Sequence, residues 1–182
     1  MRIVLQGKTK SNKDIVIRYP EKEDVGELLK FINDLSDERT FITYQGEHET
    51  LKSETKFLES RLKDIENKKA VHLLVFCGQQ LIGAAHVLAG DKTEKHVGNF
   101  GISISKGFRG EGIGEILMTS TLEEAKKEIP DINIITFTVY STNLIAQNLY
   151  KKMGFAEYGR LPNGIARNDT FEDGILMYKN IK

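Results

Sequence analysis

Short β-branched runs alternate with longer stretches of helical spacing along the chain, which predicts a mixed order of strands and helices. The runs at 2–6 and 14–19 flank a segment rich in Gly, Lys, Ser and Asn and predict an N-terminal hairpin or two short strands. Apolar residues then recur at helical spacing over 28–35, and we expect Asp24 to cap this helix. A second helix is predicted over about 49–67.

Three further strands are predicted in quick succession, at 71–77, 81–88 and 97–104. In the third strand Phe100, Ile102 and Ile104 alternate with glycine and serine. Since successive side chains of a strand point to opposite faces, one face packs and the other carries only small groups. We therefore expect another group to approach that small face closely.

The C-terminal half begins with an apolar stripe over 113–129 that predicts a helix stopped by Pro130. The remaining predicted elements are a strand at 132–140, a helix at 143–153 and strands near 155–159 and 174–180. This order predicts an α+β fold, a mixed sheet with helices on its faces, rather than a doubly wound parallel fold.

Composition limits the size and the partners of the protein. The 182 residues are 40% hydrophobic and 29% charged, which predicts one domain over 1–182. Lys+Arg and Asp+Glu number 26 each, so no overall positive field favours nucleic acid or a membrane surface, and no apolar run is long enough to span a bilayer. The single cysteine, Cys77, forms no internal disulfide and favours the reducing cytoplasm.

No metal site is expected from the histidines and cysteine. The four histidines, at 48, 72, 86 and 96, have no ligand spacing, and Cys77 has no second cysteine near it. His48 and Glu49 begin like a zinc-binding helix, but Lys52 stands where the second histidine would be.

A glycine-rich segment joins the small-faced strand to the next helix, with an arginine followed by three glycines at alternate positions. Glycines leave room for a phosphate, and the free N–H groups of a first helical turn attract an anion, so the segment predicts a diphosphate cradle. A glycine-rich turn without a ligand remains the alternative. Walker A and dinucleotide motifs both fail on spacing and residue type. The predicted binding segment comprises Arg109, Gly110, Glu111, Gly112, Ile113 and Gly114.

This segment resembles the diphosphate motif of the GCN5-related N-acetyltransferase (GNAT) superfamily, Arg/Gln-x-x-Gly-x-Gly/Ala, at Arg109, Gly112 and Gly114. The segment at 143–155 is similar to a second family motif, Asn-x-x-Ala-x-x-Leu-Tyr-x-x-x-Gly-Phe. Lys106 departs from the family, because many members have proline there. The resemblance implies a three-layer α/β/α fold and acetyl-CoA as co-substrate.

The resemblance also implies roles for individual residues. The strand backbone near Ile102, Ser103 and Ile104 would pair with the pantetheine amides, and a strand that splays from its neighbour has free N–H and C=O groups for this pairing. Asn143 would bind the cofactor arm, cap its helix, or do both. Tyr150 would protonate the leaving thiolate, whereas the helical spacing alone would favour simple packing.

The implied reaction moves an acetyl group directly to a primary amine of a small molecule or a protein. The identity of the acceptor stays open, as does the question whether the protein forms a homodimer. The base stays open too; the candidates are Glu94, His96, His86, Glu47, Glu49 and a water chain. Cys77 follows a buried apolar run and is expected to be inert. The alternative function is a non-catalytic acyl-CoA-binding or regulatory module, against which the retained Tyr150 argues.

Overall fold

A single mixed sheet of eight strands organises the computed structural model, which describes residues 1–167 and 169–182. The strands are β1 (Ile3–Lys8), β2 (Asp14–Arg18), β3 (Ala70–Cys77), β4 (Gln80–Ala89), β5 (Val97–Ile104), β6 (Ile134–Tyr140), β7 (Ala156–Arg167) and β8 (Thr170–Asn180). Their order is β1-β2-β3-β4-β5-β6-β8-β7, and only the β5–β6 pair is parallel among these described strands. The predicted mixed, mostly antiparallel α+β sheet is confirmed.

Two helices cover each face of this sheet. They are α1 (Val25–Asp37), α2 (Leu51–Glu66), α3 (Ile113–Glu128) and α4 (Leu144–Lys152). Leu117 of α3 and Tyr150 of α4 belong to one buried cluster, whereas Phe31 of α1 and Leu58 of α2 belong to another, with Leu74 of β3. The two clusters lie on opposite faces because alternate strand residues point to opposite sides. The predicted three-layer α/β/α arrangement is confirmed. No helix within residues 1–167 and 169–182 combines the length and apolar character needed to cross a membrane.

The start of α1 follows the prediction, but its predicted cap was wrong. The helix begins at Val25, directly after Asp24, yet the Asp24 side chain makes no capping hydrogen bond to α1, and its Oδ2 accepts one from the N–H of Glu21, before the helix, at 2.7 Å. Both of its carboxylate oxygens accept hydrogen bonds from the Arg18 guanidinium instead, at 2.6 and 2.7 Å. Both side chains are buried, so this bidentate charged pair takes precedence over a helix cap.

The two strands of the final hairpin are longer than predicted. The predicted strands near 155–159 and 174–180 are only the inner parts of β7 and β8, which extend to Arg167 and Thr170. Pro162 and Gly164 are typical of turns, but an irregularity in the β7–β8 register between Leu161 and Ile165 accommodates them within the strand.

The parallel strands β5 and β6 separate after a short paired stretch. Their register covers only residues 97–99 of β5 and 134–136 of β6. From there on, residues 100–104 and 137–140 face each other without pairing, while each strand stays paired with its other neighbour. We call this gap the β5–β6 opening. It leaves one backbone edge of β5 available to a ligand.

Candidate active site

The glycine-rich loop follows directly from the open end of β5. Gly110 and Gly112 have φ angles of +81° and +83°, a left-handed conformation that favours glycine. A Cβ on Gly110 would meet no atom within 4 Å, and a Cβ on Gly112 would meet only the side chain of Lys10, at 3.5 Å. The loop is therefore unobstructed, and it delivers the chain into α3 at Ile113, where the first N–H groups have no partner within the helix.

Gly114 lies in a different environment from the other two glycines. A Cβ placed on it would lie 3.5 Å from Cδ2 of Leu149, so this residue faces the contact between α3 and α4. Lys152 and Glu115 join the same two helices through an ion pair at 2.7 Å. Gly114 thus lies at the contact between α3 and α4 and also belongs to the predicted diphosphate motif.

The Arg109 side chain is held by protein groups. Its Nε donates a hydrogen bond to the carbonyl oxygen of Ile104 at 2.9 Å, and its Nη2 lies 2.7 Å from a carboxylate oxygen of Glu38. Arg109 therefore ties the end of β5 to the residue that follows α1. The sequence reasoning missed Glu38, and no local signal could have found it, because the contact depends on how α1 docks on the sheet.

Glu111 anchors the loop to the turn between β1 and β2. The backbone N–H of Ser11 donates to the Glu111 carboxylate at 2.8 Å, and the N–H of Lys10 donates to the Glu111 carbonyl oxygen at 3.2 Å. The Ser11 hydrogen bond lowers the pKa of Glu111. This N-terminal turn was not among the predicted site elements, and it holds the middle of the predicted cradle.

The predicted cofactor strand has one paired and one unpaired edge. Ile102, Ser103 and Ile104 pair with residues 83–85 of β4 and form no ladder with β6. These three residues are half-buried, as expected beside an opening. The backbone groups on the β6 side can therefore accept an extended, amide-bearing ligand.

The small face of β5 is approached closely, and the group that approaches it is a side chain of the protein. A Cβ on Gly101 would lie 2.5 Å from Cε1 of His86, so the imidazole occupies that space. The His86 ring also lies edge-on to His72, with ring centroids 6.0 Å apart. Burial, with a smaller contribution from Arg61, lowers the pKa of His86 to about 4.

Tyr150 packs at the base of the β5–β6 opening. Its ring centroid lies 4.4 Å from that of Phe137 on β6, and Phe137 lies 5.7 Å from Phe100 on β5. The side chain is 8% exposed, and burial raises its pKa to about 12, so the phenol keeps its proton at neutral pH. Its hydroxyl makes no hydrogen bond to any of the described residues. Asn143 caps α4, since its Oδ1 accepts a hydrogen bond from the N–H of Ala146 at 3.2 Å.

The candidate bases are dispersed. Glu94 and His96 precede β5 at its paired end, away from the opening, and both are exposed. Glu47 accepts a hydrogen bond from the N–H of Gln45, which lowers its pKa. Within residues 1–167 and 169–182, no group of three His, Cys, Asp or Glu side chains could hold a metal ion.

A cavity of about 500 Å³ lies beside β6 on the face away from α4. It is bounded by the segment between α1 and α2, by β6, and by the β7–β8 hairpin. The lining residues are Thr43, Thr138, Tyr140, Leu161, Gly164, Ile165, Ala166, Gly174 and Leu176. The Tyr140 hydroxyl donates a hydrogen bond to the carbonyl oxygen of Ile42 at 2.7 Å, which joins the α1–α2 segment to β6.

Known proteins are similar to this chain in sequence and in fold. A protein of Bacillus subtilis (strain 168), provisionally named a ribosomal protein bS18-alanine N-acetyltransferase, is 35% identical over 83 residues. That match covers 44% of this chain and 50% of the Bacillus protein, so the chain aligns with about half of the relative's length. The structure of a GNAT-family acetyltransferase from Streptococcus pneumoniae is 27% identical and superposes with a TM-score of 0.84, over 92% of this chain and 99% of that one.

The fold also resembles that of yncA from Salmonella typhimurium, solved with its cofactor acetyl-CoA. The TM-score is 0.80 and the identity 15%, over 92% of this chain and 94% of that one. The Acetyltransferase (GNAT) family matches residues 29–155, which is well over half of the chain. The chain is therefore a member of the GNAT family of acetyltransferases.

Proposed function

We propose that the protein transfers the acetyl group of acetyl-CoA directly to a primary amine. One observation carries the proposal: the unpaired edge of β5 leads straight into a loop whose left-handed glycines, Gly110 and Gly112, leave an unobstructed approach to the start of α3. An extended amide-bearing arm suits the edge, and a diphosphate suits the loop. Coenzyme A contains both groups in one molecule.

Binding of this substrate divides between the loop and the strand. The N–H groups of 110–114 would hold the diphosphate, and the backbone of Ile102, Ser103 and Ile104 would hold the pantetheine amides. Glu38 and Ile104 engage the guanidinium of Arg109 at Nη2 and Nε, which orients it and leaves others of its five N–H donors for the diphosphate. Asn143 fixes the start of α4 and thereby the helix that carries Tyr150.

In the reaction, the amine nitrogen attacks the thioester carbonyl carbon. The C–N bond forms, the C–S bond breaks, and the amine loses a proton while the departing sulfur gains one. A β5 N–H near Ile102 stabilises the oxyanion. The pKa of Tyr150, about 12, lies above the value of about 8.5 for an ordinary cysteine thiol, so full proton transfer from this phenol to a comparable thiolate is uphill by roughly 3 to 4 pKa units. Tyr150 therefore acts mainly by donating a hydrogen bond to the departing sulfur, and solvent or the amine completes the protonation.

The acceptor candidates are amines of small molecules and of proteins. The Bacillus relative is named for the N-terminal alanine of a ribosomal protein, and such an α-amine is one candidate here. We also propose one acetyltransferase domain over 1–182, because the described strands form one sheet. We place the protein in the cytoplasm, because its one cysteine forms no internal disulfide.

Two measurements test the proposal. Acetyl-CoA at 100 times its Kd should add about 2.7 kcal/mol to the free energy of unfolding, which thermal unfolding detects. Release of free CoA should then depend on an added amine from a panel of amino acids, polyamines and peptides. No stabilisation by acetyl-CoA would contradict the proposal, and stabilisation without release by any amine would favour a non-catalytic acyl-CoA-binding module.

A further inference from the structure

We infer that the acceptor amine carries an uncharged, apolar group, and that this group binds in the cavity beside β6. The inference deepens the proposed acetyl transfer and rests on it. It concerns the part of the acceptor that extends from the reacting nitrogen into the cavity, whether the amine belongs to a small molecule or to a peptide.

The position of the cavity relative to Tyr150 gives the first argument. Thr138 and Tyr140 line the cavity and lie two and four residues beyond Thr136, the last residue of β6 paired with β5. At about 3.3 Å per residue, the cavity begins roughly 7 Å into the opening. Phe137 lies between the lining residues and points to the opposite face, where it packs on Tyr150. The cavity and Tyr150 therefore lie on opposite sides of β6, so an acceptor in the cavity would not compete for space with the departing sulfur beside Tyr150.

The chemistry of the lining gives the second argument. The aliphatic walls are formed by Leu161, Ile165 and Leu176, and the lining residues in the described part of the chain include no Asp, Glu, Lys, Arg or His. The polar side chains are hydroxyls, and that of Tyr140 already donates to Ile42. A second ammonium group would lose its hydration here without gaining a carboxylate, which is costly.

Two backbone features create the space. A Cβ on Gly174 would lie 2.9 Å from Cγ2 of Thr138, so only glycine leaves this part of the cavity free. The irregular register between Leu161 and Ile165 displaces β7 from regular pairing along the same wall. The volume of about 500 Å³ lies within the usual range for small-ligand sites.

Arg167 and Glu172, two charged residues of the β7–β8 hairpin, neutralise each other. The Arg167 guanidinium lies 4.6 Å above the Phe41 ring and 5.9 Å from the Tyr140 ring, and it pairs with Glu172. Because Arg167 already pairs with the Glu172 carboxylate, Glu172 is not available as a partner for a cationic substituent of the acceptor. The Arg167–Glu172 pair therefore reinforces the preference for a neutral substituent.

The test compares hexylamine with 1,6-diaminohexane, which have the same length and differ by a distal ammonium group. Binding to the protein saturated with CoA is measured by calorimetry, and kcat/KM is measured with acetyl-CoA. Hexylamine should bind at least roughly tenfold more tightly and have the higher kcat/KM. The tripeptides Leu-Ala-Ala and Lys-Ala-Ala repeat the comparison for peptide amines. If the protein binds peptides, Leu-Ala-Ala should bind more tightly and have the higher kcat/KM. Equal or tighter binding of the compounds that carry the second ammonium group would overturn the inference.

A pair of variants separates the cavity from the rest of the surface. Leu161→Asp places a carboxylate on the cavity wall at a residue that is 57% exposed, and it should shift the binding ratio at least roughly tenfold toward the diamine. Phe171→Asp adds the same charge to the same hairpin, at a residue that is 69% exposed and outside the lining, and should leave the ratio unchanged. An unchanged ratio in Leu161→Asp would contradict the inference. If amines bind but none is acetylated, the result contradicts the proposed function and leaves the inference testable. The ratio of the affinities for hexylamine and 1,6-diaminohexane still tests the cavity.

Discussion

Tyr150 lies edge-on against Phe137, with the ring centroids 4.4 Å apart and the ring planes at 61°. Phe155 approaches the same Phe137 ring at 5.0 Å, so the phenol ring belongs to an aromatic cluster at the base of the β5–β6 opening. The ring therefore has a packing role that does not need the hydroxyl. Removing the hydroxyl alone separates its chemical role from this packing.

Tyr150→Phe should lower kcat by roughly 100-fold, because the departing sulfur loses its hydrogen-bond donor. The Kd for acetyl-CoA should change by no more than about twofold, since the aromatic packing is kept. Steady-state CoA release and calorimetry measure the two quantities. Tyr158→Phe, at a residue that is 56% exposed, is the matched control. Unchanged kcat in Tyr150→Phe would remove this residue from the chemistry.

The same variant should change the stability of the protein in alkali. Burial raises the pKa of Tyr150 to about 12, above the ordinary value of about 10, so the folded state holds this proton more tightly than the unfolded state. The resulting stability is complete below pH 10 and is lost as the pH rises from 10 toward 12. At pH 11 the wild-type protein should have lost about 1.4 kcal/mol more than Tyr150→Phe, relative to pH 8. Urea unfolding at pH 8 and pH 11 measures the difference. Equal losses in the free energy of unfolding for the wild-type protein and Tyr150→Phe would contradict the burial of this phenol.

His72 should make the protein sensitive to acid. Burial, then His86 and Arg61, lower its pKa to about 3, and its Nδ1 is buried without a hydrogen-bond partner among the described residues. The unfolded chain gains this proton below about pH 6.5, whereas the folded chain does not, so stability falls as the pH drops from 6.5. Between pH 7 and 5 the wild-type protein should lose about 2 kcal/mol more than His72→Leu.

Chemical unfolding at the two pH values measures this difference. His96→Leu, at an exposed position, is the control and should follow the wild-type protein. A His72→Leu variant that loses as much stability as the wild-type protein would show that this imidazole titrates normally.

Gly112→Ala should weaken acetyl-CoA binding by at least roughly tenfold, because its Cβ stands where the diphosphate would approach and φ is +83°. The left-handed backbone also costs about 1 kcal/mol of stability. Gly78→Ala is the matched control, since Gly78 has φ of +59° and open space around it but lies in the β3–β4 turn. Both variants should lose similar stability, and only Gly112→Ala should lose affinity. Equal affinities would contradict the predicted cradle.

The sequence predicted those parts of the fold and site that depend on residues close together in the chain. The glycine loop at 109–114 and the segment from Asn143 to Tyr150 are short motifs whose local backbone geometry depends on neighbouring residues. The element order also follows from periodicity, so the helices and most strands lie where they were expected.

The remaining features depend on contacts between distant parts of the chain. Glu38 reaches Arg109, and Ser11 reaches Glu111, only because α1 and the β1–β2 turn dock beside the loop. The His86 ring covers Gly101 because the β4–β5 register places the two residues opposite each other. Periodicity predicts a face for each residue but not its partner across the sheet, so the sequence reasoning missed these contacts and the cavity beside β6.

A crystal structure of the protein with coenzyme A tests the central claim most directly. The account predicts both diphosphate phosphorus atoms against the N–H groups of 110–114, the pantetheine amides hydrogen-bonded to the backbone of 102–104, and the sulfur beside the Tyr150 hydroxyl. Phosphorus atoms bound elsewhere, with the β5–β6 opening left empty, would contradict it.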